Sequence, residues 1–484
     1  MADIVLAALN AKFIHPSLGL RYLLANLGPR SSQTELLEFD LHHPPAEIAA
    51  RMLELRPRVI GLGVYIWNLS LATNLASILK AVQPEVFVVL GGPEVSYETD
   101  GLPIVDCADY VIQGEGDLAF RSLCDQLLSG RRPSGKIVAA DPPDLGAVAM
   151  PYDFYTSSDV AHRLLYVEAS RGCPFSCEFC LSSGDAPVRR FPLPAFLDQM
   201  DRLWRRGARR FKFVDRTFNL HPASTRAILE FFLARTDPSL FLHLEIVPDR
   251  LTEEDRRLLA QFPPGSVQIE IGIQTFNPEV ARRIRRFQDN GRLEENLRFL
   301  RRQTRVRLHA DLLAGLPGET VSSFAAGFDR LVALEPHEIQ IGLLKRLRGA
   351  PIRRHDAPAH MVYNPCPPYE ILCNDSIDFH EMNCLAHLAR LWELMANRSH
   401  FRQSLPRFWA DTPSPFAGFR RWTEWLAARR GHLAAIALRE LMGLAFEHLV
   451  AARGQPPAEA ARDLLADYRR GGRSDIPPCL EPYA

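Results

Sequence analysis

Two series of short apolar runs, each alternating with amphipathic stretches, constrain the fold of this chain more than any other feature. In the first series the apolar runs occupy 4–9, 35–39, 59–65, 86–92 and 110–114, and the amphipathic stretches occupy 19–27, 46–55, 74–82 and 117–128. Runs of this length indicate buried parallel strands, and the stretches between them indicate helices. We therefore predict a five-stranded, doubly wound α/β sheet over residues 1–135, with a ligand crevice at the carboxyl ends of its strands.

The second series predicts another α/β domain, over residues 161–355. Its apolar runs occupy 164–169, 210–215, 241–246, 266–273, 306–313 and 338–344. Six β/α units predict an incomplete barrel of the TIM type, with its active site at the C-terminal ends of the strands. Residues 136–160, rich in Pro, Gly and Ser, are expected to be a linker. Residues 356–484 are expected to form a mainly helical domain.

Composition agrees with a multidomain globular protein. The chain has 484 residues, more than one hydrophobic core usually supports. Its 57 basic and 57 acidic residues cancel, so no global field would attract nucleic acid or an anionic membrane. No run of 18 apolar residues indicates a membrane span, and the first residues lack the basic flank of a signal peptide. Nine cysteines without a regular framework favour a reducing, cytoplasmic setting.

Three of those cysteines stand close together in "RGCPFSCEFC" (171–180). A structural zinc site needs four ligands, and no further cysteine or histidine stands nearby at a standard spacing. An accidental cluster is the other alternative. A [4Fe–4S] cluster binds thiolates, and three protein thiolates leave one iron open for a substrate or cofactor. The odd count therefore favours a catalytic cluster held by Cys173, Cys177 and Cys180.

A C-x-x-x-C-x-x-C loop after the first strand of a six-unit partial barrel resembles the radical S-adenosylmethionine (SAM) superfamily. The resemblance implies that SAM binds the open iron through its amino and carboxylate groups. Electron transfer from the cluster would cleave SAM to methionine and a 5′-deoxyadenosyl radical, which abstracts hydrogen from an unreactive carbon. Cys173, Cys177 and Cys180 would then be both metal ligands and catalytic residues, and Phe179 would lie near the adenine.

Further segments at strand ends resemble SAM-contacting motifs of this superfamily. Residues 213–219 resemble the segment near the SAM amino group, and 309–320 the motif beside the adenine. Residues 269–277 and 284–289 resemble the fourth-strand signature of the B12-linked and methylthiolating branches. The resemblance implies these cofactor-binding residues: Asp215, Arg216, Asn219, Glu270, Gln274, Arg286, Asp311 and Gly315. A salt bridge or a solvated helix face is the alternative for each charged residue; the Arg286 guanidinium suits the SAM carboxylate.

A five-stranded module ahead of such a barrel resembles the cobalamin-binding radical SAM subgroup, through "GGPEVSYE" (91–98) and "VIQGEGD" (111–117). The resemblance implies a flavodoxin-like domain, with the dimethylbenzimidazole tail beside the sheet and the corrin facing the barrel. Its candidate cofactor-binding residues are Tyr65, Asn68, Gly91, Gly92, Glu94, Gly114 and Glu115. Core packing is the alternative for Tyr65. The D-x-H-x-x-G loop that provides a histidine ligand to cobalt is absent, although His15 follows the first strand.

The C-terminal segments "PCPPYEIL" (365–372) and "MANRSHF" (395–401) resemble the accessory domain, of unassigned role, in one branch of these proteins. Cys366 and Cys373 are expected to be ordinary buried thiols, with ligation of an auxiliary cluster as the alternative. An Arg- and Trp-rich stretch, 418–433, is expected to be an amphipathic helix, with contact to RNA as the alternative.

Together these resemblances imply a cobalamin-dependent radical SAM enzyme with three cofactors: a [4Fe–4S] cluster, SAM and cobalamin. Methylation of an unactivated carbon by methylcobalamin is the first expectation. Non-methylating radical chemistry, such as ring contraction, cyclisation or oxidation, is the first alternative, and a cobalamin-binding sensor or scaffold is the second. We expect a small-molecule substrate and an external electron donor of the flavodoxin or ferredoxin type; a nucleic acid or peptide substrate stays open.

Overall fold

In the computed structural model, which describes residues 2–184, 187–235 and 237–484, the first series forms a six-stranded sheet. Its strands are β1 Ile4–Asn10, β2 Thr34–Asp40, β3 Val59–Gly63, β4 Phe87–Gly91, β5 Tyr110–Gly114 and β6 Ile137–Ala140. Its helices are α1 Leu18–Asn26, α2 Pro45–Leu53, α3 Leu69–Val82, α4 Pro103–Cys107 and α5 Ala119–Leu128. The parallel order β2-β1-β3-β4-β5-β6 confirms a flavodoxin-like arrangement for the first five strands.

The sixth strand corrects the predicted five-stranded sheet. Strand β6 lies inside the segment expected to be a linker and pairs in parallel with β5. It is an edge strand without a buried residue, and Ile137 is 42% exposed, so the sequence carries no buried apolar run there. The later part of that segment is ordered by buried side chains and a helix. Tyr152 and Tyr155 are buried, and helix α6 (Ser157–His162) begins at a Thr156–Asp159 capping box.

The doubly wound arrangement follows from the side-chain alternation of β1. Val5, Ala7 and Leu9 belong to one buried cluster, formed with α2 and α3, and Ile4 and Leu6 belong to another, formed with α1 and α5. Successive side chains of a strand point to opposite faces, so a strand that is apolar throughout needs a helical layer on each face.

The second series forms another six-stranded sheet, in the order β7-β10-β11-β12-β13-β14, as predicted. The strands in this region are β7 Leu165–Val167, β8 Ser170–Arg171, β9 Arg189–Arg190, β10 Arg210–Phe213, β11 Phe241–Glu245, β12 Val267–Gln274, β13 Arg307–Ala314 and β14 Glu338–Leu343. The helices are α7 Leu193–Arg205, α8 Pro222–Leu233, α9 Glu253–Leu259, α10 Pro278–Arg283, α11 Asn290–Gln303 and α12 Val321–Ala333. β8 and β9 form a separate antiparallel pair.

The chain divides into two compact units. Unit 1 contains Met1–Gln268, Arg346–Arg353 and Asn364–Tyr369, and unit 2 contains Ile269–Lys345, Arg354–Tyr363 and Glu370–Ala484. Unit 1 therefore holds the first sheet, the cysteine loop and the strands β7, β10 and β11.

Unit 2 ends in a mainly helical region, as predicted. Its helices are α13 Phe379–Trp392, α14 Pro415–Arg430, α15 Leu438–Glu447 and α16 Pro457–Arg470, beside the short antiparallel strands β15 Val362–Tyr363 and β16 Ile371–Cys373. Phe328 of α12 packs edge-on against Trp392 at 4.8 Å and against Phe416 at 5.9 Å, so aromatic contacts join these helices to the sheet layer. Within the described ranges, no helix is both long and apolar enough to cross a bilayer.

A buried ion cluster joins α6 to the first sheet within unit 1. The Arg21 guanidinium, 2% exposed, donates to Glu38 and Asp159 at 2.9 Å each, and Arg163 donates to Glu38 at 2.5 Å. Burial opposes ionisation of Glu38, but the hydrogen bonds from Arg21 and the Ser17 N–H, together with the charges of Arg21 and Arg163, outweigh it and lower the pKa of this carboxyl to about 2. The cluster therefore ties the segment ahead of β7 to strand β2 through charges that water does not screen.

Replacing Arg21 tests how much this cluster stabilises unit 1. Arg21→Met leaves two buried carboxylates short of a cation, which in buried pairs costs about 3–5 kcal/mol. Arg163 still faces both carboxylates, so we expect a loss near the lower end, measured by urea unfolding. Arg51→Met is the matched control: it breaks an exposed pair with Glu54 and should change stability by less than about 0.5 kcal/mol. Equal effects of the two substitutions would contradict the prediction.

Candidate active site

A cavity of about 320 Å³ opens at the carboxyl ends of the first sheet, in unit 1. Tyr65, Gly91, Gly92 and Gly114, all predicted as cofactor-binding residues, line it. Two of these glycines have a positive φ, +109° at Gly92 and +94° at Gly114. A Cβ at Gly92 would lie 2.5 Å from the Val64 carbonyl oxygen, and a Cβ at Gly114 would lie 2.5 Å from that of Ala140. Only glycine lets the strand ends approach so closely.

Asn68 has a different position from the one predicted. Its side chain is 1% exposed, and the residue does not line the cavity. Its amide nitrogen donates to the Leu9 and Gly63 carbonyls at 3.1 and 3.0 Å, and its Oδ1 accepts from the Tyr65 N–H at 2.8 Å. Both amide protons are thus used by the backbone. Asn68 shapes the loop that presents Tyr65 and, in this arrangement, has no donor left for a cofactor.

Glu94 and Glu115 are likewise bound by other residues of unit 1. Glu94 is buried and accepts hydrogen bonds from the Arg348 Nε at 3.0 Å and the Tyr369 hydroxyl at 2.6 Å. Glu115 pairs with Arg171 at 2.9 Å and with Arg189. In this structure both carboxylates hold the loops on which they stand, and their role as cofactor contacts stays a prediction.

Arg171 joins the first sheet to the cysteine loop, and sequence reasoning missed it. Its guanidinium pairs with Asp117 at 2.8 Å, Glu115 at 2.9 Å and Glu168 at 2.8 Å, and it lies over the Tyr22 ring at 4.6 Å. Arg171, Glu168 and Asp117 also line the 320 Å³ cavity. An arginine two residues before Cys173 was the available signal in the sequence, but only the fold shows that its partners come from the loop after β5 and from the end of β7.

The three predicted cluster ligands lie in the loop after β8, directly behind Gly172 with its φ of +97°. Cys177 is buried, and Cys173 and Cys180 are half-buried. Burial raises the pKa of the Cys173 thiol, and the neighbouring Cys180 and Cys177 thiols raise it further. Phe179, between Cys177 and Cys180, is half-buried.

The chemistry of this loop fits an iron–sulfur cluster, because it carries three free thiols on one short segment and such clusters bind thiolates. In the described part of the chain, no three His, Cys, Asp or Glu side chains converge on a point that could hold one ion.

Asp215 and Asn219 follow strand β10: Asp215 binds residues just ahead of the cysteine loop, and Asn219 binds the loop after β11. The Asp215 carboxylate is buried and accepts from the Ser170 hydroxyl at 2.5 Å and the Ala169 N–H at 3.0 Å. The Asn219 amide exchanges two hydrogen bonds with the backbone of Val247, at 2.8 and 3.0 Å. Both residues line a second cavity in unit 1, of about 710 Å³, together with Pro174. Arg216 lies nearby, half exposed and 3.6 Å from Glu245.

In unit 2, strands β12 and β13 have one apolar and one polar face. Alternate residues of β12 and β13 are fully buried, whereas Glu270, His309 and Asp311 are half-buried on the other face. His309 lies 3.1 Å from Asp311 and 3.3 Å from Glu338. Burial raises the pKa of Asp311 despite the hydrogen bond from His309, and Glu270 raises it too. The fold thus brings Glu270 and Asp311 together, as expected for a site inside a barrel.

The end of β12 carries Gln274 and Arg286 on a strained turn. Gln274 has a φ of +69°, and the Thr275 N–H donates to the Ile273 carbonyl at 2.9 Å, which closes a γ-turn. The Arg286 guanidinium donates to the Ile273 carbonyl at 3.2 Å and also to the Gly272 carbonyl. Left-handed backbone at a non-glycine residue costs free energy and is concentrated at functional sites. Gly315, predicted beside the adenine, has a φ of +88°.

His15 contacts the first strand of the second sheet. Its Nδ1 lies 3.1 Å from the Tyr166 hydroxyl, and it is not among the residues that line the 320 Å³ cavity. This geometry gives no support to a cobalt ligand in the loop after β1.

Comparisons with known proteins match three families along the chain. Residues 4–124 match the B12 binding domain, residues 167–331 the radical SAM superfamily, and residues 359–472 a protein of unknown function, DUF4080. These ranges contain, in turn, the glycine-lined cavity, the cysteine loop and the helical region of unit 2.

Two curated relatives of this chain are named as methyltransferases. TokK, a cobalamin-dependent radical SAM methyltransferase of Streptomyces tokunonensis, is 26% identical over 349 residues, 64% of this chain and 50% of TokK. An uncharacterized methyltransferase of Pyrococcus horikoshii is 28% identical over 233 residues, 43% of this chain and 50% of that protein. The chain spans about half the length of these curated relatives.

Solved structures share the fold. TsrM of Kitasatospora setae, a radical SAM methyltransferase solved with cobalamin and a [4Fe–4S] cluster, aligns over 89% of this chain and 99% of its own, with a TM-score of 0.61 and 19% identity. The cobalamin-dependent radical enzyme OxsB aligns over 99% of this chain and 83% of its own, with a TM-score of 0.63 and 13% identity.

Residues 167–331, which include the cysteine loop, therefore form a radical SAM domain. The chain combines it with a B12-binding domain ahead of it and a domain of unknown function behind it.

The pH dependence of stability tests the environment of Asp215. Burial raises the pKa of this carboxyl to about 7, from 3.8. The folded state therefore keeps a proton that the unfolded chain releases, and the resulting stability is present below pH 4 and lost as the pH rises through 7. Between pH 5.5 and 7.5 the Tm of the wild type should fall more than that of Asp215→Asn, whose amide does not titrate.

Asp237→Asn is the control for this measurement. Hydrogen bonds from Ser239 lower the pKa of the Asp237 carboxyl to about 2, so it is ionised in both folded and unfolded chains above pH 5. Its substitution should leave the slope of Tm against pH unchanged. Parallel curves for the wild type and Asp215→Asn would contradict the assignment.

Proposed function

We propose that this protein is a cobalamin-dependent radical SAM methyltransferase that acts on an unactivated carbon of a small molecule. The observation that carries the proposal is the Arg171 cluster, which joins the glycine-lined cavity and the cysteine loop in one unit. A methyl donor in the cavity and a radical source on the loop would then face one reaction space. The names of the TokK and TsrM relatives support the same reaction class.

The residues at hand fit the three cofactors. Cys173, Cys177 and Cys180 would hold the cluster, and the cavity beside Gly92 and Gly114 would receive the nucleotide tail of cobalamin. The candidate SAM-binding residues are Asp215, Asn219 and Phe179 in unit 1 and Glu270, Gln274, Arg286 and Asp311 in unit 2. When bound, the cluster and SAM supply the radical that takes hydrogen from the substrate, and cobalamin supplies the methyl group.

The residues of the chain itself would position and orient the bound groups and exclude water from them. Asn68 and Asn219 use their amides to fix the loops at two strand ends, so the bound groups would meet preorganised walls. Asp215 holds the two residues ahead of Arg171, which keeps the start of the cysteine loop in place. Precise placement matters because a radical abstracts whatever hydrogen lies nearest.

An external electron donor of the flavodoxin or ferredoxin type would reduce the cluster. A reducing cytoplasm, which the cysteine usage of the sequence predicts, would keep the three thiols available.

Non-methylating radical chemistry is the second candidate. One relative is an anaerobic magnesium-protoporphyrin IX monomethyl ester cyclase of Rubrivivax gelatinosus, 26% identical over 164 residues, 28% of this chain and 28% of that protein. Product mass separates the two candidates, since methyl transfer adds one methylene to the substrate and cyclisation does not.

Replacing Cys177 tests the radical half of the proposal. Cys177→Ala removes a buried thiol of the cysteine loop, so anaerobic incubation with SAM and reductant should yield no 5′-deoxyadenosine, while corrinoid binding stays near the wild-type level. Cys366→Ala, which removes an exposed thiol, is the matched control and should keep full SAM cleavage. Wild-type protein that forms no 5′-deoxyadenosine would refute the enzyme and favour a cobalamin-binding sensor or scaffold.

Adding a methyl group in the glycine cradle tests the cobalamin half. Gly92→Ala places a Cβ 2.5 Å from the Val64 carbonyl oxygen, so the wall must shift, and corrinoid affinity should fall at least about tenfold, or about 1.4 kcal/mol. Gly130→Ala has a similar positive φ, +83°, with open space around the Cβ, and should bind corrinoid normally. Iron and sulfide contents should match the wild type in both, and equal corrinoid affinities would contradict the assignment.

A further inference from the structure

Residues 346–352, "RLRGAPI", form a segment of unit 1 that the cofactor motifs do not account for. We call this segment the strap. It contacts residues 92–98, which we call the wall loop because they begin at Gly92 in the cavity wall.

Arg348 makes the central contact between the strap and the wall loop. Its Nε donates to the buried Glu94 carboxylate at 3.0 Å, and its terminal nitrogen donates to the Glu98 carbonyl at 2.9 Å. The Tyr369 hydroxyl also donates to Glu94, at 2.6 Å. Charge-assisted bonds to a buried carboxylate are strong, and loss of the cation would leave that carboxylate with Tyr369 alone.

Glu98 makes a second contact with the strap. Its carboxylate accepts from the Gly349 N–H at 3.1 Å and from Arg346 at 3.0 Å. Burial opposes ionisation of Glu98, yet these two donors and the nearby Arg353 charge together outweigh it, and the pKa of the carboxyl is lowered. Gly349 has a φ of +80°, and a Cβ there would lie 2.4 Å from the Tyr97 ring, so this approach requires glycine.

The wall loop is bonded to the cavity on its other side. The Ser96 hydroxyl donates to the Gly92 carbonyl at 2.9 Å and accepts from the Gly114 N–H at 3.4 Å. Both glycines line the cavity. A ligand that orders Gly92 and Gly114 would therefore also order the segment that carries Glu94 and Glu98.

The far end of the strap contacts the cysteine loop. The Ile352 N–H donates to the carbonyl of Glu178 at 2.8 Å, and the Ile352 side chain is fully buried. Glu178 stands between Cys177 and Phe179. Ile352 is the fourth residue after Arg348. One short segment therefore bonds to the wall loop at one end and to the cysteine loop at the other.

We propose that the strap couples occupancy of the cavity to the order of the cysteine loop, with Arg348 as the positioning residue. This rests on the proposed function, because it takes cobalamin as the ligand of the cavity. A corrinoid that orders the wall loop would order the strap through Glu94, and the strap would order the cysteine loop through Ile352. Because coupling is reciprocal, a formed cluster would strengthen corrinoid binding by the same factor.

Hydrogen–deuterium exchange on the cluster-loaded full chain, with and without hydroxocobalamin, tests this proposal. In the wild type, the corrinoid should slow exchange in the wall loop, the strap and residues 172–180, the last by about fivefold or more. In Arg348→Gln it should still slow the wall loop but leave residues 172–180 unchanged. Arg348→Lys keeps a cation for Glu94 and should restore part of the response, which general destabilisation would not predict.

Arg353→Gln is the matched control, just beyond the strap. Arg353 is 62% exposed and lies 3.7 Å from Glu98, so its loss should leave the corrinoid response at residues 172–180 intact. If Arg348→Gln does not fold, Glu94→Gln removes the same charge pair with little change of shape and should give the same loss. The double variant should lose no more than either single one, because the two residues act as a pair.

The outcomes separate this proposal from the proposed function. A wild-type chain that binds corrinoid without any change at residues 172–180 would overturn the strap proposal alone. A full response in Arg348→Gln would do the same. A wild-type chain that binds no corrinoid in a direct titration would overturn the cobalamin part of the proposed function and the strap proposal with it.

Discussion

The buried contact of Arg171 with Asp117, Glu115 and Glu168 is the interaction on which the rest of unit 1 depends. The Arg171 guanidinium neutralises carboxylates from the loop after β5 and from the end of β7. Arg171 itself stands two residues before the first cysteine of the loop. Without the Arg171 cation, the desolvated carboxylates would have no opposite charge beside them. Moving either loop away from Arg171 would therefore cost free energy. The wall of the cavity and the start of the cysteine loop are therefore one structural element.

Polar side chains around the site act mainly on the backbone. Asn68 and Asn219 use their amides on carbonyls and N–H groups at strand ends, and Asp215 accepts from the residues ahead of Arg171. Buried backbone groups need partners, and the loops at a sheet's carboxyl end lack regular ones. These side chains, which were predicted to touch cofactors, therefore bind the backbone of the loops around the site and hold each loop in one conformation. A preorganised site follows from these contacts.

The strands of unit 2 also have two faces of different polarity. Alternate residues of β13 are buried, whereas His309 and Asp311 lie on the opposite face, where Glu270 acts on the Asp311 carboxyl. A TIM-type interior filled with branched apolar residues would leave no room for a ligand. The half-buried polar side chains on this face depart from that pattern, and they lie within residues 167–331, which match the radical SAM family.

The sequence by itself determined the two α/β series, the six strands of the second sheet, the cysteine loop and the glycines at the cavity, because periodicity, spacing and positive-φ demands are local properties. It did not reveal β6, whose edge position leaves no buried run, or the buried partners of Glu94 and Asn68. Those depend on contacts between residues far apart in the chain. Only the tertiary structure brought Arg348 to Glu94 and Arg171 to Asp117, since a charged residue's partner is set by where the folded backbone places it.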